Sequence, residues 1–439
     1  MLVYEFKLSG TQQQYRLIDE AIRTALFVRN SCVRYWMDNA KIGKYDLSAL
    51  CKALSKEFLF ANKLNSMARQ ASAERAWSSI SRFHENCKKK IKGKKGYPKF
   101  KRRGNSVEYK TSGWAFSEDR KHLALTDGHN IGIMKLVGTY DLHYYQVEQI
   151  KRVRLVRRAD GYYAQFLIKA ERNIDTTPTG KTIGLDVGLN HFYTDSNGGQ
   201  IETPRFLRKS EKSIKKLQKR VSRKFSKTRK RLTPVGSPDH GSETRQQEKI
   251  KQSNNYLKAK NKLSRKHLKV SRQRKDHAVK LARCVVASND VVVYEDLRVA
   301  NMVKNHKLAK SISDASWYQF RVWIEYFGRI FGRTTIAVAP QYTSQDCSNC
   351  GKRVQKTLST RTHKCPHCGY TADRDENAAI NILKKGIATT GHVGSSELDS
   401  VNAWGDLSST GNDVNQSQQD RSLNQESPDF LVKTSDSKA

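Results

Sequence analysis

The hydrophobic and polar positions divide the chain into regions of different period. MLVYEFKLSG at the start reads as a strand, and TQQQ at 11–14 has the Thr-x-x-Gln form of a capping box. Tyr15, Ile18, Ile22 and Ala25 then recur at helical spacing, and Ala73, Ala76, Ile80, Phe83 and Cys87 repeat the pattern, which predicts a small helical bundle. Residues 105–170 switch to short alternating strands. The clearest, KRVRLVRRADGYYAQFLIKAE, reads as a hairpin turning at Asp160-Gly161. A small β-barrel or half-barrel is expected there, with Arg152, Arg154, Arg157 and Arg158 making its outer face basic.

From residue 181 the pattern is that of an α/β domain. KTIGLDVGLNHFYTDSNGG reads as strand, turn, strand, and Ala278, Leu281, Ala282 and Val285 mark a helix leading into VVVYEDL. That strand is apolar on both faces, as central strands of covered sheets are. Trp317, Phe320, Ile324, Phe327 and Phe331 fall on one side of a helix and read as core, and TTIAVAP supplies another strand. Between these pieces, Ile214, Leu217, Val221 and Phe225 form a helical seam. Residues 256–275 look like a second helix of the same kind, after a loop at 233–241. Two such helices make a hairpin.

Charge changes the picture from folding to partners. The 439 residues carry a formal net charge of +39, and residues 387–439 hold eight acids and three bases, which leaves +44 on the rest. Such a body repels itself without a polyanion nearby, so nucleic acid is the expected partner. The connector KKKIKGKKGYPKFKRR at 88–103 has ten bases and no acid, with Tyr97 and Phe100 offering faces for base stacking. Residues 208–232 hold thirteen bases and one acid, so the hairpin is expected to lie along a nucleic acid. No run of about 18 apolar residues exists to span a bilayer, and no membrane partner is expected. The tail from 387 is rich in Ser, Asn, Gln and Asp and reads as disordered.

Four of the eight cysteines, Cys32, Cys51, Cys87 and Cys284, are scattered, which does not suggest a disulfide framework and suits a reducing, cytoplasmic location. The others form CxxC, fourteen residues, CxxC: Cys347, Cys350, Cys365 and Cys368, with Gly351 and Gly369 directly after each pair. Two tight turns of this kind close a tetrahedron of thiolates around a structural zinc. His363 and His367 lie close by, but four thiolates leave no vacancy.

Several acids sit in special settings. In IGLDVGLN, Gly184, Asp186 and Gly188 share a side, so Asp186 is expected on a face that metal and a phosphodiester could approach. Glu295 ends the buried strand, at the edge where open sheets bind ligands. Asp375 begins the helix DENAAINILKK, just after Asp373. Each has a plain alternative: strand-edge solvation for the first two, a helix cap or N-terminal charge for Asp375. Together they fit the constellation of an RNase H-like nuclease, in which carboxylates bind two divalent ions, magnesium or manganese by the hardness of the ligands.

GLDVGLNHF, YEDLRVANM, YTSQDCSNCG, HKCPHCGYTADRDENAAINIL and GYPKFKRRG resemble the motifs of the TnpB family, RNA-guided nucleases of insertion sequences related to type V CRISPR effectors. The resemblance runs in order over roughly residues 1–385. It implies a split RuvC site of Asp186, Glu295 and Asp375, and selects Asp375 over Asp373 and Glu295 over Asp296. It implies a multidomain α+β architecture: a RuvC-like (RNase H-like) nuclease with an inserted zinc ribbon, a helical recognition lobe and a β-barrel wedge. The expected divisions are 1–10, first wedge strand; 11–104, recognition lobe and connector; 105–178, wedge barrel; 179–340, nuclease with the hairpin insertion at 205–275. They continue with 341–371, the target-nucleic-acid-binding zinc ribbon; 372–386, the last nuclease helix; and 387–439, the tail. The partners implied are a guide RNA and double-stranded target DNA, bound by a monomer that reads a short adjacent motif and lets base pairing supply most of the specificity. The departures from the family lie in the loop at 233–248 and in the tail, away from the catalytic motifs. A compact CRISPR effector and a non-cleaving nucleic-acid-binding regulator are the competing readings, and a classical strand-transferring transposase is disfavoured.

Overall fold

The computed structural model describes residues 1–230, 252–357 and 360–390. The loop at 233–248 and the tail from 391 lie outside them. The chain divides into two units, Met1–Glu171 and a second from Arg172 onward. Among the described residues no helix is long and apolar enough to cross a membrane.

The first unit joins helices to one strongly curved sheet. Strand β1 (Leu2–Ser9) leads into α1 (Gln12–Asp38), whose start carries both halves of the capping box, Thr11 and Gln14. Helices α2 (Lys44–Glu57), α3 (Leu59–Lys63) and α4 (Ser66–Lys88) follow, and Cys51, Ala76 and Ile80 pack with Val28 and Cys32 of α1. The segment from 91 to 105 has no regular structure, and Tyr97 and Phe100 are exposed there. The strands are β2 (Ser106–Lys110), β3 (Trp114–Phe116), β4 (His122–Leu125), β5 (Met134–Val137), β6 (Ile150–Arg158) and β7 (Gly161–Ile168). Their order is β2-β6-β7-β1-β5-β4-β3, so β1 is central. The edge strands β2 and β3 are joined by a single 3-10 turn, Thr111–Gly113, which curls the sheet into a nearly closed barrel. Ile18 and Ile22 of α1 share a core with Tyr4, Phe6 and Leu8 of β1.

Two expectations for this region change. The hairpin turns on Ala159 and Asp160, because Arg158 pairs directly with Gly161. The four arginines of β6 do not form an open basic face. Arg152 binds Glu108 at 2.6 Å and Glu74 at 3.0 Å, Arg154 binds Glu108 at 2.8 Å, Arg157 binds Asp19 at 2.9 Å, and Arg158 pairs with Glu5. Glu108 is buried, and the two arginines outweigh the desolvation to hold its carboxyl at about 2. Arg152 and Arg154 link β6 to β2 through Glu108 and Arg158 links it to β1 through Glu5, while Arg152 and Arg157 also reach α4 and α1.

The second unit is built on a five-stranded sheet: β8 (Thr182–Asp186), β9 (His191–Asp195), β10 (Gln200–Glu202), β11 (Val291–Glu295) and β12 (Thr334–Val338), ordered β10-β9-β8-β11-β12. β8, β11 and β12 are parallel, while β9 and β10 return antiparallel. Helix α5 (Phe206–Lys230) packs on α6 (Asn254–Ala287). The expected boundary near 275 does not exist. One 34-residue helix runs from the basic hairpin into the core, where Ala278, Ala282 and Val285 are buried, because neither Gly nor Pro interrupts it. Short helices α7 (Val299–Met302) and α8 (Ala309–Ala315) precede α9 (Trp317–Ile330), whose aromatic stripe is buried as core. The hairpin is fastened by Asp314, itself buried. It accepts from the N–H of Leu207 at 2.9 Å and of Arg208 at 3.3 Å, and from Arg274 at 2.9 and 3.0 Å. Strands β13 (Thr362–Lys364) and β14 (Thr371–Asp373) then lead into α10 (Arg374–Thr390), which lies against β8 and β11.

Candidate active site

Asp186 and Glu295 end neighbouring strands. β8 and β11 are paired with Leu185 opposite Tyr294, so the next residue of each leaves the same edge of the sheet side by side. Here the chain turns one way from β8 into β9 while β11 lies on the other side, the kind of switch point at which open sheets take ligands.

Helix α10 brings the third carboxylate. A Cβ on Gly184 would lie 2.3 Å from the Ala379 carbonyl oxygen and 2.8 Å from Leu383 Cβ, and one on Gly386 would lie 2.5 Å from both γ-carbons of Val293. The two glycines let helix and sheet approach closely. The expected open face beside Asp186 is therefore filled at Gly184, by the helix that carries Asp375.

The neighbouring acids separate by role. The Asp373 carboxylate accepts from the N–H of Asp375 at 2.8 Å and of Glu376 at 3.3 Å, so Asp373 caps α10. Asp375 instead meets Arg374 at 2.8 Å and Arg361 at 3.7 Å. Asp296 pairs with Arg321, whereas Glu295 accepts from the Thr343 hydroxyl at 2.6 Å.

The charges converge on Asp186. Burial, then the carboxylates of Glu295, Asp375 and Asp373, push its pKa well above the usual carboxylate value, and Arg374 opposes them. Burial also raises Glu295, against the Thr343 hydrogen bond and the charge of Lys385. Crowded, partly desolvated carboxylates resist ionisation unless a cation joins them. Their hard oxygens suit a magnesium-like ion.

The cysteines form a second centre. Their four sulfurs lie within 4.8 Å of one another, with Cys347–Cys368 at 3.7 Å and Cys350–Cys365 at 3.6 Å. A tetrahedron with bonds of about 2.3 Å to zinc has edges of roughly 3.8 Å, so the set fits that ion. Gly351 and Gly369 adopt φ of 75° and 73°, and their N–H groups donate to the carbonyls of Cys347 and Cys365 at 2.9 and 3.0 Å. This left-handed turn is what each knuckle requires. His363 is buried beside Lys356 and is not part of the sulfur cluster.

Three residues that the sequence reading passed over tie the two centres. Asn377 and Asn381, four apart on α10, are both buried. Asn377 accepts from the N–H of Ser348 at 2.9 Å and donates to the Asp346 carbonyl at 2.9 Å, so it brackets Cys347. Asn381 donates to the carbonyls of Asp346 at 2.6 Å and Thr343 at 2.9 Å. Thr343 in turn holds Glu295. Two asparagines at i, i+4 in an alanine-rich helix were the available signal, since asparagine is a poor helix former.

A mixed helix–sheet multidomain protein with half-buried acids near one sheet edge and a four-cysteine set that could hold a metal is thus the class defined. Residues 317–382 match the family model described as "Cas12f1-like, TNB domain", and residues 165–234 and 242–306 match the model described as "Probable transposase", OrfB_IS605. A "Putative RNA-guided DNA endonuclease" of Streptomyces pristinaespiralis is 34% identical over 236 residues, 53% of this chain and 52% of that protein. The chain's match thus spans about half the length of that relative. The "Putative RNA-guided DNA endonuclease InsQ" of Escherichia coli (strain K12) is 26% identical over 332 residues, 72% of this chain and 74% of that one. Among solved structures, the Cas12f1–sgRNA–target DNA complex aligns with a TM-score of 0.50 at 14% identity, over 85% of this chain and 83% of that chain, a likeness of fold. Over these stretches the chain is similar to proteins of the TnpB/IS605 transposase family.

Proposed function

We propose that the chain is an RNA-guided DNA endonuclease of the TnpB type, hydrolysing DNA phosphodiesters at Asp186, Glu295 and Asp375. The observation that carries the reading is geometric: Asp186 and Glu295, 109 positions apart in sequence, end neighbouring strands, and α10, which begins with Asp375, packs directly on β8 at Gly184. The strand order, with its antiparallel β8–β10 and parallel β11 and β12, supports an RNase H-like, RuvC-type domain. Its named relatives support RNA guidance and DNA as the target.

Asp186, Glu295 and Asp375 would hold magnesium or manganese. Bound there, the ions supply an activated water and stabilise the leaving oxygen. Thr343 fixes the rotamer of Glu295, and Asp373 fixes the first turn of α10 beneath Asp375. Cys347, Cys350, Cys365 and Cys368 would hold a structural zinc in a ribbon that contacts the target nucleic acid. The first unit would form the recognition lobe and wedge, with the guide RNA near the basic hairpin of α5 and α6. Because the β6 arginines are paired internally, the barrel's contribution to RNA binding falls on other cations.

The test is Asp186→Ala in the full chain. Magnesium-dependent cleavage of DNA should disappear while the copurifying RNA remains bound, and unchanged cutting would refute the assignment. Sequencing that RNA should return one defined species, and random cellular fragments would sink the guided reading. Transposon ends beside the gene support a TnpB nuclease, whereas a repeat array supports a CRISPR effector.

A further inference from the structure

Part of the basic connector is held in place although it has no regular structure. Arg29 of α1, itself buried, donates to the Lys99 carbonyl at 3.0 Å. The neighbouring Asn30 amide donates to the Lys101 carbonyl at 2.9 Å and accepts from the Lys101 N–H at 3.0 Å. A Cβ on Gly104 would lie 3.3 Å from Ile22 Cγ2 and 3.4 Å from Leu26 Cβ, so the chain lies flush against α1 there. Between this segment, α1 and α4 is a shallow pocket of about 390 Å³, its open mouth included. Arg29, Arg75, Lys101 and Arg103 stand in its walls with Ser72 and Asn105, and no carboxylate is among its lining residues. Glu108, which feels the charge of Arg75, is already paired with Arg152 and Arg154. Cations gathered this closely repel one another and attract an anion, and that attraction needs nearness rather than one donor aimed at one point. Beneath the mouth there is room only for a group the size of a water. Neither a base nor a sugar enters such a space, but one phosphate oxygen does. Arg103 is exposed and Arg75 half-buried, so both side chains can close on it from the mouth.

We propose that this pocket seats one phosphate of a nucleic-acid backbone, with one of its oxygens in the pocket and sugar and base outside. A contact of this kind fixes where a strand lies on the first unit and reads none of its sequence. The inference rests on the nucleic-acid partners of the function proposed above.

The experiment uses the full chain without added magnesium, so that no cutting intervenes, and follows binding across a salt series. Two probes are compared: single-stranded RNA on the chain freed of its copurifying RNA, and duplex DNA on the RNA-loaded chain. Arg75→Gln with Arg103→Gln should lower the slope of log affinity against log salt by about 0.7 on RNA or about 0.9 on DNA, the share of one phosphate. Affinity should fall by about 10- to 150-fold, as for loss of hydrogen bonds to a charged group, and alike on every sequence. Arg103→Gln alone changes an exposed side chain and should act in the same direction, whatever the double variant does to Tm. Lysine at both positions should keep the slope. Arg23→Gln, which removes an exposed cation of α1 outside the pocket, should change it far less. A fall on RNA alone makes the guide the source of the phosphate, and a fall on DNA alone makes it the target. Unchanged slopes on both probes, a fall of twice the stated size, or an equal fall in Arg23→Gln overturns the pocket. The two readings fail separately. Magnesium-dependent cutting with unchanged slopes sinks the pocket alone, whereas the stated fall in a chain that never cuts DNA keeps the pocket and sinks the nuclease.

Discussion

Gly184→Ala is the sharpest perturbation of the proposed site, because it adds one methyl group and no charge. The new Cβ would meet the Ala379 carbonyl oxygen at 2.3 Å and the Leu383 backbone nitrogen at 2.9 Å, whereas ordinary contact begins near 3.4 Å. Both obstacles are backbone, so no rotamer change relieves them. Helix α10 must retreat from β8 by about 1 Å, an overpacking cost of roughly 1–3 kcal/mol. That corresponds to a fall in Tm of about 2–12 °C for a domain of this size. Ala379 lies one turn from Asp375, so the retreat separates the carboxylate on the helix from Asp186 on the strand. A misplacement of about 1 Å costs on the order of 100-fold in rate. The assay is magnesium-dependent DNA cleavage at a temperature where circular dichroism shows the variant folded, with Thr182→Ala at the opposite end of β8 as control. Native cleavage at native Tm would show that α10 is not seated on Gly184, and the proposed convergence of acids would fail with it.

Other expectations follow from the same contacts. Thr343→Val removes the 2.6 Å hydrogen bond to Glu295 and should weaken magnesium dependence by about 10- to 100-fold, as loss of a ligand's supporting partner does; Thr343→Ser should restore it, and an unchanged magnesium titration would contradict the role. Asp314→Ala strands Arg274 and the first N–H groups of α5, a loss of about 3–5 kcal/mol, read by thermal unfolding and by faster hydrogen exchange in residues 207–215; a cost below about 1 kcal/mol would refute the clamp. For Asp186 and Glu295 the pKa is raised in the folded state, so in EDTA their contribution to stability is greatest in acid. It is lost as pH rises above the ordinary carboxylate range through the raised values. Magnesium should therefore raise Tm more at neutral than at acid pH, and Asp186→Asn should flatten that dependence. A magnesium effect independent of pH would be the contrary result.

What the sequence made legible was chemistry set by local spacing. The CxxC pairs declare their turns because each glycine follows its cysteines directly, and the sulfurs of Cys347 and Cys365 meet their partners as that spacing requires. Glu295 was legible because an acid after VVVY must leave a buried strand. Pairings made at long range were not. Arg152, Arg154, Arg157 and Arg158 read as an exposed basic stripe, since Glu5, Asp19, Glu74 and Glu108 approach them only after the sheet takes its register. The continuity of α6 was hidden because its surroundings change, from hairpin to core, while its helical period does not. Gly184 signalled a lack of side chain but could not say whether ligand or helix fills the space.

The placement of the four-cysteine loop follows from the cost of the acid cluster. The carboxylates near Asp186 oppose ionisation together, so under the proposed function the fold must hold their elements in place without a cation, and a bound cation would relieve the repulsion. Apolar packing supplies part of the resistance, through Ile382 of α10 against Val293 of β11. The rest comes from polar contacts on the far side of the helix. Asn377 binds both sides of Cys347 and Asn381 the segment just before it, and the same loop carries Thr343 to Glu295. A helix held on one face by two close glycine crossings and on another by the loop of the four cysteines cannot slide without breaking several buried hydrogen bonds together. The segment between β12 and α10 is thus where a zinc bound by the four cysteines would do the most for the proposed carboxylates: it would stiffen the two segments that carry Asp375 and the partner of Glu295, while β8 and β11 are already fixed by their neighbours in the sheet.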